Sequence, residues 1–218
     1  MIEMTEQILE TLKNQYGAAA ADRLVAYLDG VLEWNEHINL TAIRDREEAL
    51  SKHILDSLSC AALPEFRQAE RVIDIGTGGG FPGVPLAIVA PDKAFVLVDG
   101  TRKKLRVIDD LTSQLGITNV QTVHARAEEL AKDPEYAAQF DLCVSRAVAD
   151  LKVLAGWCLP FVKRGGFLIA YKGAKAEQEA DAARTTLRKC GAEVSRIETV
   201  QIAGAGADEH NLVVIRKK

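Results

Sequence analysis

The feature that most constrains the fold is an alternation of short β-rich runs with amphipathic stretches, which begins at Arg71. Strands that alternate with helices predict a doubly wound, mostly parallel sheet. The last two runs are joined by a glycine-containing connection without a helical pattern, which predicts an antiparallel hairpin at the sheet edge. We therefore predict an α/β fold with a Rossmann-like sheet of seven strands, the last one antiparallel, from runs at 71–76, 94–99, 120–124, 141–145, 167–171, 194–200 and 212–216.

The chain before this alternation follows a helical period. Between Thr5 and Leu63 apolar residues recur at helical spacing, as at Leu24, Leu28 and Val31, and this pattern predicts three or four helices. A length of 218 residues suits one core domain plus a small addition. We therefore predict a helical N-terminal extension at 1–66 and an α/β domain at 67–218.

Composition excludes several classes of protein. The apolar stretches fall far short of the roughly 20 residues of a membrane helix, and the first residues do not resemble a signal peptide. We therefore expect a cytoplasmic protein that does not span a membrane. The 4 cysteines show no C-x-x-C spacing, so neither a disulfide framework nor a metal site is expected.

Charge is distributed unevenly along the chain. The net charge is −4, but residues 1–70 carry 6 basic and 13 acidic side chains, whereas residues 71–218 carry 21 basic and 18 acidic ones. Any contact with nucleic acid is therefore expected from the second part.

A glycine-rich loop follows the first predicted strand and opens a helix. Gly78, Gly80 and Gly83 fit the dinucleotide pattern G-x-G-x-x-G, in which a helix N-terminus receives a pyrophosphate. Gly76, Gly78 and Gly80 also fit D-x-G-x-G-x-G with Asp74 two residues before Gly76, a motif of S-adenosylmethionine binding. A carboxylate repels a pyrophosphate but attracts the ammonium group of S-adenosylmethionine, so Asp74 favours the second interpretation. A glycine-rich turn without a ligand is the structural alternative.

Two acidic positions after later strands extend this candidate site. Asp99 ends the second strand, where a carboxylate accepts hydrogen bonds from both ribose hydroxyls of a nucleoside cofactor. Glu128, after the third strand, lies where such folds hold adenine. Favourable charge in the first turn of a helix explains Glu128 equally well.

The chain resembles the bacterial small-subunit rRNA guanine-N7 methyltransferases, once called glucose-inhibited division protein B, over nearly its whole length. The resemblance rests on residues 34–41 with 52–57, on 74–83, and on Ser145-Arg146-Ala147. It implies a class I methyltransferase fold, S-adenosylmethionine as cofactor, and cofactor contacts at Gly76, Phe81, Ala127, Glu128 and Arg146. The sequence departs from the family pattern at Gly79, Gly100 and His210, and the last of these stands where an arginine is common.

The chemistry implied by the resemblance needs little acid or base catalysis. Guanine N7 has a lone pair and no proton, so catalysis consists mainly of alignment. Arg146 is expected to position both the cofactor and the flipped guanine, unless it is an ordinary surface arginine at a strand end. The residues expected to contact RNA phosphates, as alternatives to a simple solvated surface, are Arg102, Lys103, Lys104 and Lys172.

Several histidines and their neighbours are assigned structural roles. His53, Asp56 and Trp34 are expected to dock the helical extension onto the α/β domain, and His37, His124 and His210 show no metal-ligand spacing. The main hypothesis is S-adenosylmethionine-dependent methylation of guanine N7 at one site in the decoding-region loop of 16S rRNA, acting on rRNA or the small ribosomal subunit without an obligate protein partner. An NAD-dependent oxidoreductase and a non-enzymatic RNA-binding module are the alternatives.

Overall fold

The computed structural model describes residues 2–206 and 209–218, with side chains from residue 5 onward. One seven-stranded sheet has the order β3-β2-β1-β4-β5-β7-β6. The strands β1 to β5 pair in parallel, and β7 lies antiparallel between β5 and β6. This arrangement confirms the predicted fold class. The strands are β1 (Arg71–Ile75), β2 (Ala94–Asp99), β3 (Val120–His124), β4 (Phe140–Arg146), β5 (Val162–Lys172), β6 (Ala192–Val200) and β7 (His210–Lys217).

The helices precede the sheet or connect its strands. A continuous helical segment at 46–62, here called the bent helix, changes from α-helix to a π-helical stretch (Leu50–Leu55), back to α-helix and then to a 3-10 turn (Ser59–Ala62). In the part of the chain that the structure describes, no helix is long and apolar enough to cross a membrane. The α-helices are α1 (Ile2–Tyr16), α2 (Ala18–Asn35), α3 (Arg46–Ala49), α4 (Asp56–Leu58), α5 (Pro64–Gln68), α6 (Gly83–Val89), α7 (Arg102–Gln114), α8 (Ala127–Leu130), α9 (Leu151–Cys158) and α10 (Ala176–Lys189).

Two apolar cores cover the two faces of the sheet because successive side chains of a strand point to opposite faces. Along β4, Leu142 and Val144 belong to the core that contains α1, α2 and the bent helix, whereas Cys143 belongs to the core with α9 and α10. The N-terminal helices therefore share a core with the sheet. The predicted boundary between 66 and 67 falls within α5 and stays a prediction.

Strand β5 begins earlier than predicted. Residues 162–166 read Val-Lys-Arg-Gly-Gly, which is charged and glycine-rich and does not resemble a buried strand. Val162 nevertheless pairs with Phe140, and the register shifts before Phe167 pairs with Leu142. Tertiary pairing overrides the weak local preference here.

Candidate active site

The glycine loop between β1 and α6 has three glycines whose positive φ angles favour glycine and whose surroundings differ. Gly76, Gly78 and Gly80 have φ angles of 75°, 59° and 88°, which side chains rarely adopt. A Cβ at Gly80 would lie 2.0 Å from the Tyr27 hydroxyl, and one at Gly76 would lie 2.5 Å from Val148. A Cβ at Gly78 would meet only the Gly76 carbonyl, at 4.0 Å. Gly78 therefore faces open space, which a ligand needs in order to approach the backbone closely.

Asp74 lies buried beneath this loop. Its Oδ2 accepts hydrogen bonds from the Thr77 hydroxyl (2.7 Å) and from the Gly83 backbone N–H (2.9 Å). Its Oδ1 is buried without a hydrogen-bond partner among the described residues. Burial raises the pKa of Asp74 from 3.8 to about 6, although both hydrogen bonds act to lower it. The carboxylate therefore fixes the loop and leaves one oxygen for a water molecule or a cationic ligand.

Asp99 stands beside the loop because β1 and β2 are neighbours in the sheet. Its Oδ2 accepts from the Gly78 N–H (3.0 Å), and its Oδ1 accepts from the Thr101 N–H (2.8 Å). A carboxylate has about four lone-pair positions, so acceptor capacity remains for the ribose hydroxyls. The contact between Asp99 and the ribose hydroxyls of the cofactor stays a prediction.

A mostly apolar recess opens on the far side of Asp99. Ala127, which begins α8, is buried in its wall, and Glu128 is exposed at its edge. An apolar slot with an acidic group at its edge suits a flat base that carries an amino group. The other residues that line the recess are Ile75, Gly76, Val98, Asp99, Gly100, Ala125, Arg126, Val148 and Trp157.

Arg146, the last residue of β4, contacts the bent helix. Its Nη1 donates to Asp56 Oδ2 (2.8 Å) and to the Lys52 carbonyl (2.9 Å), and its Nη2 lies 3.3 Å from His53 Nδ1. The Arg146 and Asp56 side chains are only 13% and 9% exposed, so this ion pair is largely shielded from water. The guanidinium carbon lies 5.7 Å from the centre of the Phe81 ring.

Two histidines extend this network. His53 stacks on Phe81 with ring centres 4.6 Å apart, and its Nε2 lies 2.7 Å from the Thr41 hydroxyl. Burial and the Arg146 charge lower the pKa of His53 to about 4, so its ring is neutral at pH 7. His210, at the start of β7, places Nδ1 3.0 Å from Asp56 Oδ1.

The turn after β4 is held in an uncommon conformation. Ala147 has a φ of 56°, in the left-handed region that costs a non-glycine residue about 1–2 kcal/mol. The Ser145 hydroxyl donates to the Ile75 carbonyl (2.7 Å), which ties the end of β4 to the end of β1. Such strain concentrates at functional sites, and Ala147 lines the cleft directly after Arg146.

These groups line one cleft of about 620 Å³ at the carboxyl ends of β1, β2 and β4. The cleft brings together several residues that the sequence singled out: Gly76, Gly78, Phe81, Asp99, Lys104 and Arg146. The adjoining recess contains Ala127 and Glu128. Asp74 at the end of β1 and Gly80 within the loop are both buried. Open α/β sheets bind ligands at this edge, where the strand order reverses.

The predicted RNA-contacting residues have different surroundings. Arg102 and Lys103 are exposed on the first turn of α7, and Lys104 lines the cleft. Lys172 lines an adjacent cleft, but its ammonium group already contacts the Ala149 carbonyl (2.6 Å) and Glu179 (2.7 Å). Its contact with an RNA phosphate stays a prediction and requires competition with Glu179.

Three residues with structural roles expected from the sequence, His53, Asp56 and His210, also line the cleft. His53 and Asp56 do join the helical segment to β4 through Arg146, and they also line the cleft. Their spacing of three residues, which places both on one helix face, is a local signal for this shared role. His210, also expected to be structural, pairs with Asp56 and lines the same cleft.

Fold and site together define a class I methyltransferase. Two solved structures share this fold: the O-methyltransferase TomG of Streptomyces achromogenes in complex with SAM (TM-score 0.59, 16% identity, 88% of this chain and 90% of that one) and TYW2 of M. jannaschii in complex with AdoMet (TM-score 0.55, 17% identity, 71% and 73%). The family model for rRNA small subunit methyltransferase G matches residues 20–212, and the chain belongs to that family.

Curated relatives agree with this assignment. The ribosomal RNA small subunit methyltransferase G of Clostridium novyi is 41% identical over 208 residues, which cover 95% of this chain and 85% of the relative. The protein of the same name from Desulfitobacterium hafniense is 41% identical over 196 residues, which cover 90% and 80%. The family resemblance stated from the sequence is thereby confirmed.

Proposed function

We propose that this chain transfers the methyl group of S-adenosylmethionine to N7 of a single guanosine in the decoding-region loop of 16S rRNA, in the cytoplasm. The observation that carries the proposal is the convergence of the glycine loop, Asp99 and the Arg146 network on one cleft. Family membership supports rRNA of the small subunit as the substrate. The choice of the N7 atom rests on the resemblance and on the chemistry available in the cleft.

The residues present fit the cofactor. The unpaired Oδ1 of Asp74 suits an ammonium group, reached through water because the carboxylate is buried. The open space at Gly78 admits close approach to the backbone, Asp99 has acceptor capacity for ribose, and the recess at Ala127 suits adenine. When bound, S-adenosylmethionine supplies an electrophilic methyl group on a positively charged sulfur.

The cleft is suited to a reaction that needs alignment rather than proton transfer. N7 carries no proton, so no general base is required. His53 is neutral, and its Nδ1 faces the Arg146 guanidinium, which leaves this histidine to support the arginine. Arg146, held by Asp56 and the Lys52 carbonyl, presents a fixed planar group against which a flipped base can stack. Holding two reactants in a reactive geometry supplies much of a rate enhancement.

The α7 surface provides a route for RNA to the cleft. Arg102 and Lys103 are exposed, and Lys104 continues the positive charge into the cleft. Phosphate contacts of this kind position RNA without reading its sequence. The proposed partner is 16S rRNA, either naked or within the small ribosomal subunit.

The test is single-turnover methylation of 16S rRNA and of small subunits from a strain that lacks this activity, with the modified base identified by mass spectrometry. We expect 7-methylguanosine at one position. Arg146→Ala should lower the rate by on the order of a hundredfold, whereas the control Arg164→Ala, at an exposed arginine on β5, should not.

Two results would reject parts of this proposal. Methylation of a pyrimidine or of an exocyclic amine would overturn the N7 assignment. Thermal stabilisation by NAD but not by S-adenosylmethionine would favour the oxidoreductase alternative.

A further inference from the structure

Thr41 lies on the cleft wall in the connection between α2 and the bent helix. The buried side chain of Asn35, the last residue of α2, accepts hydrogen bonds from the backbone N–H groups of Leu40 (2.8 Å) and Thr41 (3.0 Å). These two bonds fix the backbone at Thr41. Its side chain is therefore held at a defined place on the cleft wall.

The proton on His53 can be assigned from its neighbours. A guanidinium has only N–H donors, so the contact with Arg146 Nη2 favours a His53 Nδ1 that accepts and carries no proton, over the tautomer that donates to the Lys52 carbonyl. In a neutral imidazole the other nitrogen then bears the hydrogen. His53 Nε2 therefore donates to the Thr41 hydroxyl oxygen, 2.7 Å away.

This assignment determines what Thr41 can offer. Its hydroxyl oxygen accepts from His53 Nε2 and from the Ile43 backbone N–H (3.1 Å), and these two bonds use both lone pairs. The hydroxyl group can then form one further hydrogen bond, as a donor through its own hydrogen. Within residues 2–206 and 209–218, this hydrogen has no hydrogen-bond acceptor. Thr41 therefore presents a hydrogen-bond donor, and no acceptor capacity, on the wall of the cleft.

Guanine and adenine differ beside N7 in the property that such a donor detects. Guanine carries the O6 acceptor there, whereas adenine carries the N6 amino donor. We propose that Thr41 is a specificity-determining residue that donates a hydrogen bond to O6 of the guanine being methylated. This inference rests on the proposed function. Arg146 already uses three of its five N–H donors on Asp56, the Lys52 carbonyl and His53, whereas the Thr41 hydroxyl hydrogen has no partner among the described residues.

The test uses 16S rRNA ligated from pieces, with guanosine, inosine or 2-aminopurine at the position that the wild-type protein methylates. Inosine keeps O6, and 2-aminopurine keeps N7 but lacks O6. The wild-type protein should methylate guanosine and inosine about 10- to 100-fold faster than 2-aminopurine. Thr41→Val should remove most of this difference by slowing the first two substrates alone, and Thr41→Ser, which keeps the donor, should preserve it.

The outcomes separate other roles for the hydroxyl. If Thr41→Val slows all three substrates equally, the hydroxyl serves an RNA phosphate or the fold, and the inference is wrong. If Thr41→Val weakens S-adenosylmethionine affinity in calorimetry, the donor serves the cofactor, and the inference is again wrong. Should Thr41→Val not fold, equal wild-type rates on guanosine and 2-aminopurine would still refute it.

The same experiment distinguishes failure of the proposed function from failure of the inference about Thr41. If the wild-type protein methylates none of the ligated substrates and no position of native 16S rRNA or of small subunits, the proposed function is refuted, and this inference falls with it. Wild-type methylation of guanosine without any preference over 2-aminopurine refutes the inference alone.

Discussion

Replacing Asp74 with asparagine is expected to remove a pH-dependent loss of stability while weakening cofactor binding. The Asp74 carboxylate is fully buried, and its pKa is raised from 3.8 to about 6 mainly by desolvation. Asparagine has nearly the same shape, and its carbonyl oxygen still accepts from Thr77 and Gly83. The substitution therefore removes a buried charge and keeps the two hydrogen bonds that fix the loop.

The sign and size follow from proton linkage. Between pH 3.8 and about 6 the unfolded chain has ionised Asp74 while the folded chain keeps it protonated, so the wild-type protein loses stability as pH rises. Above pH 6 both states are ionised and the loss is complete. One unit of pKa difference between the folded and unfolded chain corresponds to about 1.4 kcal/mol, so the full loss in the free energy of unfolding is about 3 kcal/mol. The Asp74→Asn variant has no such loss.

Urea denaturation between about pH 4 and pH 8 measures the difference between variant and wild type. That difference should shift by about 2.4 kcal/mol in favour of Asp74→Asn between pH 4 and pH 7, because part of the loss has already occurred at pH 4. Taking the difference cancels the other carboxylates, and Asp110→Asn, at an exposed position on α7, serves as the matched control. A flat difference, or one that favours the wild-type protein as pH rises, would refute the reasoning.

The cofactor should respond in the opposite direction. An ammonium group near Asp74 favours the ionised carboxylate, so wild-type affinity for S-adenosylmethionine should decline as pH falls below about 6. Asp74→Asn should bind weakly throughout this range, as calorimetry can show. Equal affinity in both proteins would mean that Asp74 serves the loop alone.

Three further predictions concern the same cleft and its surroundings. Gly78→Val should abolish cofactor binding in a folded protein because its side chain enters the open space of the cleft. Gly80→Val should instead lower the melting temperature because its side chain overlaps the buried Tyr27 hydroxyl. Retained binding in Gly78→Val would refute a role of the glycine loop in cofactor binding. Asp99→Ala should weaken S-adenosylmethionine binding by about 1.5–3 kcal/mol in calorimetry, and unchanged affinity in a folded variant would limit Asp99 to the turn. Lys103→Ala combined with Lys104→Ala should weaken RNA binding and flatten its salt dependence while cofactor affinity stays the same, and an unchanged salt slope would place RNA elsewhere.

The sequence was sufficient for features that depend on local patterns. The antiparallel placement of β7 follows from a connection too short and too rich in glycine for a crossover helix. The loop at 76–83 follows β1 directly, so its position at the carboxyl edge of the sheet needed no tertiary information. The early start of β5 was missed because its pairing with Phe140 overrides a charged, glycine-rich local sequence.

The Arg146 network could not be predicted in the same way. Arg146 lies 90 positions from Asp56, and His210 lies 154 positions from it. No periodicity within one helix or strand encodes contacts of this separation. Their shared location depends on how the bent helix packs across the ends of β4 and β7, which is a property of the completed core.

The contact between the N-terminal helices and the sheet explains why the motif at 34–41 and 52–57 is more specific to the family than the glycine loop at 74–83. A glycine loop and a strand-end acid serve any class I fold that binds the same kind of cofactor, so they indicate only the broad class. Thr41, His53 and Asp56 come from the part of the chain before the sheet, and they line the same cleft as the glycine loop. If that part receives the base, the features that distinguish this family should lie in the N-terminal helices, which is where its most specific sequence motif is found.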